Sequence, residues 1–233
     1  IFEGCELINE AHIKAKTIVL LTDSGEGEPE FREFDINDRA CRFEVTNALM
    51  YWLPSGGGTI YCSVAFAKLW FSEDFVRPDG SWEHYDKRHL FGAEADSYTP
   101  GKDRVIAQWQ GCRFLLSTCY DLRFPVWLRN RGDYDMILLG ASWPASRRYA
   151  WDTLLKARAI ENQCFVAGVN RVGDDPNASY TGGSVLVNPL GEVLSGCPDS
   201  EQCSVTSFAE LELVGDYRKR FPALQDADKF GLL

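Results

Sequence analysis

The chain has 233 residues, 45% apolar, 25% charged and 13% aromatic, enough for one sizeable core. Its 24 Lys plus Arg stand against 34 Asp plus Glu, a net charge of −10, which repels phosphate backbones and argues against a nucleic-acid partner. No run approaches the ~18 consecutive apolar residues of a membrane span, and the opening Ile1-Phe2-Glu3-Gly4-Cys5-Glu6 has no basic flank or apolar stretch of a secretion signal, so a cytoplasmic protein without membrane contact is expected. In chain order, the β-branched run 17–21 reads as a buried strand. Residues 22–38 are acidic and glycine-rich and read as a solvated loop. A helical pattern lies around 39–52, followed by strands at 59–66 and 68–71. Pro78-Asp79-Gly80 is a hairpin-type turn into a strand at 82–85. Strands 105–109 and 112–118 flank a turn at Gln110-Gly111, a short helix covers 122–131, and a strand covers 136–139. The clearest helix is 148–163, with Trp151, Leu154, Leu155 and Ala157 on a broad apolar stripe. Strands at 164–169 and 184–187 and a helix at 208–218 complete the pattern. There is no repeat, low-complexity tract or interior linker, so residues 1–233 are expected to form one α/β layered domain.

Eight cysteines, at 5, 41, 62, 112, 119, 164, 197 and 203, are spread through a chain large enough to need no staples. Without a CxxC pair, and with three histidines in all, neither a disulfide scaffold nor a metal site is expected. Cys197 and Cys203 are close enough in sequence to bridge, but reduced thiols are the default in this compartment.

Cys119 ends the strand 112–118 just before a helical pattern. A strand-to-helix junction exposes a side chain at the sheet edge, and helix N–H groups there favour a thiolate and an oxyanion; a buried, inert thiol is the plain alternative. Tyr85-Asp86-Lys87-Arg88-His89 sets cations directly after a strand. An ammonium at Lys87 would stabilise a thiolate and polarise a carbonyl. His89 invites a Cys–His reading, but with no group in view to orient it, it reads as a packed or surface histidine. Glu94 lies seven residues beyond Lys87 and by itself is an acidic loop residue. Asn177-Ala178-Ser179 matches a glycosylation sequon without a secretion signal to support it, and no phosphate-binding glycine loop occurs.

Several blocks occur together in order: Tyr85 to Phe91, Cys119-Tyr120-Asp121-Leu122-Arg123-Phe124-Pro125, Ser142-Trp143-Pro144, Lys156 to Asn162, Asn170-Arg171-Val172-Gly173 and Tyr217 to Pro222. With these the chain resembles the nitrilase, or carbon–nitrogen hydrolase, superfamily, and within it the omega-amidase group. The resemblance runs from about Thr59 to the C-terminus and is loose over residues 1–58. It implies a four-layer αββα sandwich that dimerises through its helical face, and a Glu-Lys-Cys triad without metal or cofactor. Cys119 falls on the nucleophile, Lys87 on the lysine, and Glu94 on a further glutamate that positions substrate and triad; the Tyr120 N–H joins the oxyanion hole. The family base is a Glu in a Pro-Glu pair directly after a strand. The matching strand here is 17–21, so Thr22 stands at the base position. That placement expects the main chain at 22 beside Lys87 and Cys119. Pro29-Glu30 offers the expected pair seven or eight residues later, making Glu30 the alternative base. Ser142 stands where close relatives often have Asn.

The implied activity is hydrolysis of a small non-peptide amide through a thioester, with 2-oxoglutaramate or 2-oxosuccinamate as the expected substrate. The rivals are another superfamily amidase or carbamoylase and, in a different class, a non-catalytic binding member lacking the base. For the homodimer, the expected face carries Trp127, Leu128, Trp151 and Leu155.

Overall fold

The structure, a computed structural model, describes residues 17–22, 30–35, 42–46, 49–53, 60–63, 72–77, 81–96, 98–229 and 231, up to residue 72 as backbone alone. In chain order the strands are β1 (Thr17–Thr22), β2 (Glu30–Asp35), β3 (Arg42–Thr46), β4 (Leu49–Leu53), β5 (Ile60–Ser63), β6 (Ser72–Val76), β7 (Trp82–Asp86), β8 (Ile106–Trp109), β9 (Cys112–Thr118), β10 (Met136–Ala141), β11 (Phe165–Asn170), β12 (Val172–Asp175), β13 (Ala178–Thr181), β14 (Val185–Val187), β15 (Val193–Gly196) and β16 (Ser204–Phe208). The helices are α1 (Pro125–Leu128), α2 (Arg148–Asn162) and α3 (Leu211–Arg220).

One six-stranded sheet has the order β15-β14-β11-β10-β9-β8. Its centre, β9-β10-β11, is parallel, and its flanks are antiparallel. Every residue of β10 and β11 is buried, as expected of parallel strands covered on both faces; this is why they read as unbroken apolar runs. α2 lies on one face. Trp151 and Leu155 approach Gly168 so closely that a Cβ there would sit 2.8 Å from the Leu155 methyls. The opposite face meets the second six-stranded sheet, ordered β16-β3-β4-β5-β6-β7. There the ring of Phe75 packs on Phe114 with centroids 5.3 Å apart. The buried Glu73 carboxylate crosses between the sheets to accept the Ser117 N–H at 2.9 Å. Among the described residues, helix, sheet and sheet thus stack in an α/β sandwich of the kind the resemblance implies.

The turn at Gln110-Gly111 has φ of 48° and 81°, the left-handed pair of a tight hairpin between β8 and β9. Other segments differ from expectation. Residues 22–38, read as a loop, contain β2, where Phe31 and Phe34 interrupt the polar run. The helix around 39–52 is instead the hairpin β3-β4; Arg42-Phe43-Glu44-Val45 alternates polar and apolar, a strand period that outweighs the helical pattern. The helix at 122–131 breaks into a 3₁₀ turn, Cys119–Arg123, and the single-turn α1. Pro125 supplies the break, because it lacks an N–H and holds Phe124 extended at φ −111°, ψ 89°. The strand 17–21 extends to Thr22 but pairs with β2 alone, in a two-stranded sheet outside both six-stranded ones, with Thr22 opposite Glu30. The strand expected at 68–71 and the turn expected at Pro78-Asp79-Gly80 lie outside the described residues.

The expected dimer face is also corrected. Trp127, Leu128, Trp151 and Leu155 are buried within the subunit, because the same apolar stripe that suggests an interface is what seats α1 and α2 on their own sheet.

Candidate active site

The three central parallel strands deliver their carboxyl ends to one edge of the sheet, where ligands of open α/β sheets characteristically bind. Cys119 follows β9, Ser142 follows β10, and Asn170 ends β11. Cys119 has φ of 46°, a left-handed conformation that costs a residue with a Cβ about 1 kcal/mol. This sharp reversal turns the chain from β9 into the 3₁₀ turn and sets the half-buried thiol at its start. Its Sγ lies 3.8 Å from the Ser142 carbonyl oxygen, a weak S–H donation. The Ser142-Trp143 segment is fixed by buried Asn170, which accepts the Trp143 N–H at 2.6 Å and donates to the Trp143 and Gly182 carbonyls.

Lys87 arrives from the other sheet, directly after β7. It is 1% exposed, and its Nζ donates to Glu94 Oε2 at 2.7 Å. The same Glu94 oxygen accepts the Phe91 N–H at 2.7 Å, so Glu94 holds both the ammonium and its own loop. The Lys87 carbonyl accepts the Gly101 N–H at 2.9 Å. A Cβ on Gly101 would fall 2.1 Å from the Asp86 carbonyl oxygen, an approach backbone cannot relieve cheaply. Gly101→Ala should therefore displace the Lys87 segment and lower stability by about 2 kcal/mol or more. Urea unfolding reads this; an unchanged midpoint would mean the two backbones are not locked.

Two segments from different sheets meet at Asp121. Its buried carboxylate accepts the Tyr85 hydroxyl at 2.7 Å, the Thr118 N–H at 3.1 Å, and both the N–H and Nδ1–H of His89 at 2.9 and 2.8 Å. The Tyr85 oxygen in turn accepts Trp127 Nε1 at 3.0 Å. His89 stacks on Phe124 with centroids 3.7 Å apart. It is thus a packed histidine whose Nδ1 serves Asp121, and the Cys–His alternative receives no support.

The charges bear on the thiol in opposite directions. Burial pushes the Cys119 thiol up, while the Lys87 cation and the Ser142 carbonyl contact pull it down and the Glu94 and Asp121 charges push it up again. The net result is above the ordinary thiol value, so the resting group is the protonated thiol. The five-residue 3₁₀ turn that Cys119 opens has few aligned peptides to set against that burial. Cys197 and Cys203 do not bridge; the Cys197 thiol donates to the Cys203 carbonyl at 3.4 Å.

The sequence-predicted Cys119, Lys87, Glu94 and Tyr120 therefore lie together, with the Tyr120 ring packed on Phe91. The side chains of Thr22 and Glu30 lie outside the described residues. Asp121, Tyr85 and Asn170 were not singled out by sequence reasoning, although each sits inside a motif block that was.

The carbon-nitrogen hydrolase family model matches residues 52–219. The chain belongs to this family. Among curated relatives, the omega-amidase YafV of Yersinia enterocolitica is 51% identical over 161 residues, 68% of this chain and 63% of that one. The 2-oxoglutaramate amidase of Bacillus subtilis is 32% identical over 151 residues, 63% of this chain and 58% of that one. The chain thus spans less than two thirds of these relatives' length. Of solved structures, XC1258 from Xanthomonas campestris, a family member with an arsenic adduct in its active site, is 41% identical with a TM-score of 0.67, covering 77% of this chain and 68% of that one. An amidase from Nesterenkonia, in which acrylamide adds to the active-site cysteine, is 25% identical with a TM-score of 0.57 over 65% of this chain and 61% of that one. No metal-binding cluster occurs among the described residues, and no described helix is long and apolar enough to cross a membrane.

Proposed function

We propose that the protein is a cytoplasmic cysteine amidase that releases ammonia from a small ω-amide of a 2-oxo dicarboxylic acid, with 2-oxoglutaramate the preferred substrate and 2-oxosuccinamate a second. The observation that carries this reading is the meeting of the left-handed Cys119 with the buried Lys87–Glu94 pair. The names of the Yersinia and Bacillus relatives support the substrate class. An amide carbonyl is a poor electrophile, so attack needs both a thiolate and a site for the oxyanion. Lys87 Nζ and the Tyr120 N–H supply the oxyanion site. The Cys119 proton passes to a carboxylate and from it to the departing ammonia; the same carboxylate then activates the water that cleaves the thioester.

Of the described carboxylates felt at the sulfur, Asp121 is filled by donors, whereas Glu94 uses one oxygen and keeps the other open. Glu94 is accordingly the proton carrier drawn from the described residues, and Glu30, opposite Thr22 in the hairpin, is the alternative. Comparing Glu94→Gln with Glu30→Gln decides between them. Arg123, four residues after Cys119, suits the substrate's free carboxylate. Its guanidinium rests over the Trp143 ring at 5.0 Å and forms no ion pair among the described residues. Carboxylate binding by an arginine fork is strong because the bonds are charge-assisted.

Ammonia release should be at least about tenfold more efficient with 2-oxoglutaramate than with glutamine or N-carbamoyl amino acids, since those lack the 2-oxo acid or the plain ω-amide. Preference for a carbamoyl compound would reassign the bond cleaved; no release from any of them would favour a non-catalytic binding member. We also propose a homodimer, formed through the apolar residues still exposed on α1 and α2: Val126, Tyr149 and Ile160, at 52%, 84% and 51%. Light scattering should give twice the chain mass at micromolar concentration, and a monomer would overturn the dimer.

A further inference from the structure

We propose that Asp121 is a positioning residue that sets the separation between the Lys87 ammonium and the Cys119 sulfur. This rests on the reading of Cys119 as nucleophile and Lys87 as oxyanion donor. Those two groups come from different sheets, and packing alone leaves their spacing to sheet-on-sheet contacts such as Phe75 with Phe114. Asp121 adds a direct tie. Lys87 is flanked in sequence by Tyr85 and His89, and both donate to this carboxylate. Cys119 is flanked by Thr118, whose N–H donates to the same carboxylate, and Asp121 itself lies two residues further on.

The tie converges on single atoms. Oδ2 accepts the Tyr85 hydroxyl from the lysine segment and the Thr118 N–H from the cysteine segment. Oδ1 accepts both donors of His89. Each oxygen therefore has two donors, which fills the carboxylate and offsets the cost of burying it. The donors are braced in turn. Tyr85 is held by Trp127 Nε1 and the Arg88 N–H, and His89 by stacking on Phe124. On the cysteine side, buried Arg158 donates Nε and Nη2 to the Leu122 carbonyl, fixing the 3₁₀ turn that carries Asp121. Asparagine at 121 would turn an NH₂ group toward one pair of these donors and leave that pair without an acceptor. The lysine segment would then be free to shift, and a donor displaced by about 1 Å loses much of its hold on a developing oxyanion.

The test is kcat for ammonia release from 2-oxoglutaramate in a double-mutant cycle of Asp121→Asn with Lys87→Met. Asp121→Asn alone should lower kcat by about thirtyfold with KM within about threefold, because the lost interaction is one made in the transition state. In the Lys87→Met background the same change should cost less than about threefold, since there is no ammonium left to misplace. An equal factor in both backgrounds would mean that Asp121 only stabilises the fold, and a wild-type kcat in Asp121→Asn would equally overturn the proposal. If Asp121→Asn fails to fold, Tyr85→Phe enters the same cycle, removing one donor and keeping the carboxylate, with an expected loss of about tenfold. At His89, the Asn variant, which returns a donor at the Nδ1 position, should lose less than the Ala variant. Cys119→Ala is measured in parallel. Activity surviving in it would refute the nucleophile assignment, whereas its inactivity beside a fully active Asp121→Asn refutes the positioning role alone.

Discussion

Replacing Cys119 with alanine is expected to reduce ammonia release by more than about a thousandfold, leaving only what binding and oxyanion stabilisation give without a covalent intermediate. Cys112 and Cys164 are buried strand-end thiols, and burial pushes Cys164 well above the ordinary thiol range, so neither competes as nucleophile. Because the Cys119 thiol is held above its usual value, its alkylation by iodoacetamide should rise with pH through the alkaline range. The sign of each neighbour follows from its charge. Removing the cation in Lys87→Met should move the alkylation profile to higher pH, and removing the anion in Glu94→Gln should move it lower. Labelling at Cys119 followed by mass spectrometry gives both shifts. Full activity with Cys119 blocked would end the assignment.

The second large effect is expected at Lys87. Lys87→Met keeps most of the side chain's length and removes the charge, so kcat should fall by about a hundredfold or more while KM changes little, the pattern of a lost oxyanion donor worth about 3 kcal/mol. Part of the loss has a second origin. Without the ammonium, Glu94 Oε2 keeps only the Phe91 N–H, and a half-buried carboxylate so stripped seeks water or a proton. Pairing Lys87→Met with Glu94→Gln separates the two contributions by urea unfolding: a double variant more stable than Lys87→Met alone would locate part of the damage in the orphaned glutamate. A variant with wild-type kcat and a raised KM would make Lys87 a binding residue.

The sandwich was legible in the sequence from β9 onward because its parallel strands carry period-free apolar runs and α2 a clear stripe. For these strands and α2 the boundaries agree within one or two residues, as with Cys112–Thr118, whereas the helix expected at 208–218 begins only at Leu211, because Phe208 ends β16. Where two periods competed, over 39–52, the helical one was misread, since short segments with apolar residues on most positions fit either period. Proline gave a local warning at 125 that the helical pattern across it ignored. In the candidate site, Cys119 and Lys87 were legible from residue type and position after strands. Asp121 was not, because its role depends on a contact spanning 36 positions to Tyr85, and sequence spacing says nothing of such contacts. The expected dimer face differs from the observed surface for a related reason. Amphipathicity reports that a helix has an apolar face, without saying whether the subunit itself already covers it.

The left-handed backbone at Cys119 sets the demands of chemistry against those of folding. Glycine adopts that conformation without the Cβ clash, so the elbow taken as a hinge alone would be better served by it. Selection for thermal robustness, acting without selection for turnover, would thus erode this position first, and the sandwich around it would survive intact. A descendant that kept every strand and helix but carried glycine at 119 would be a steadier protein and a silent one. In a chain of this family, retention of a strained, side-chain-bearing residue at the end of β9 is therefore a more direct record of continuing catalysis than retention of the fold.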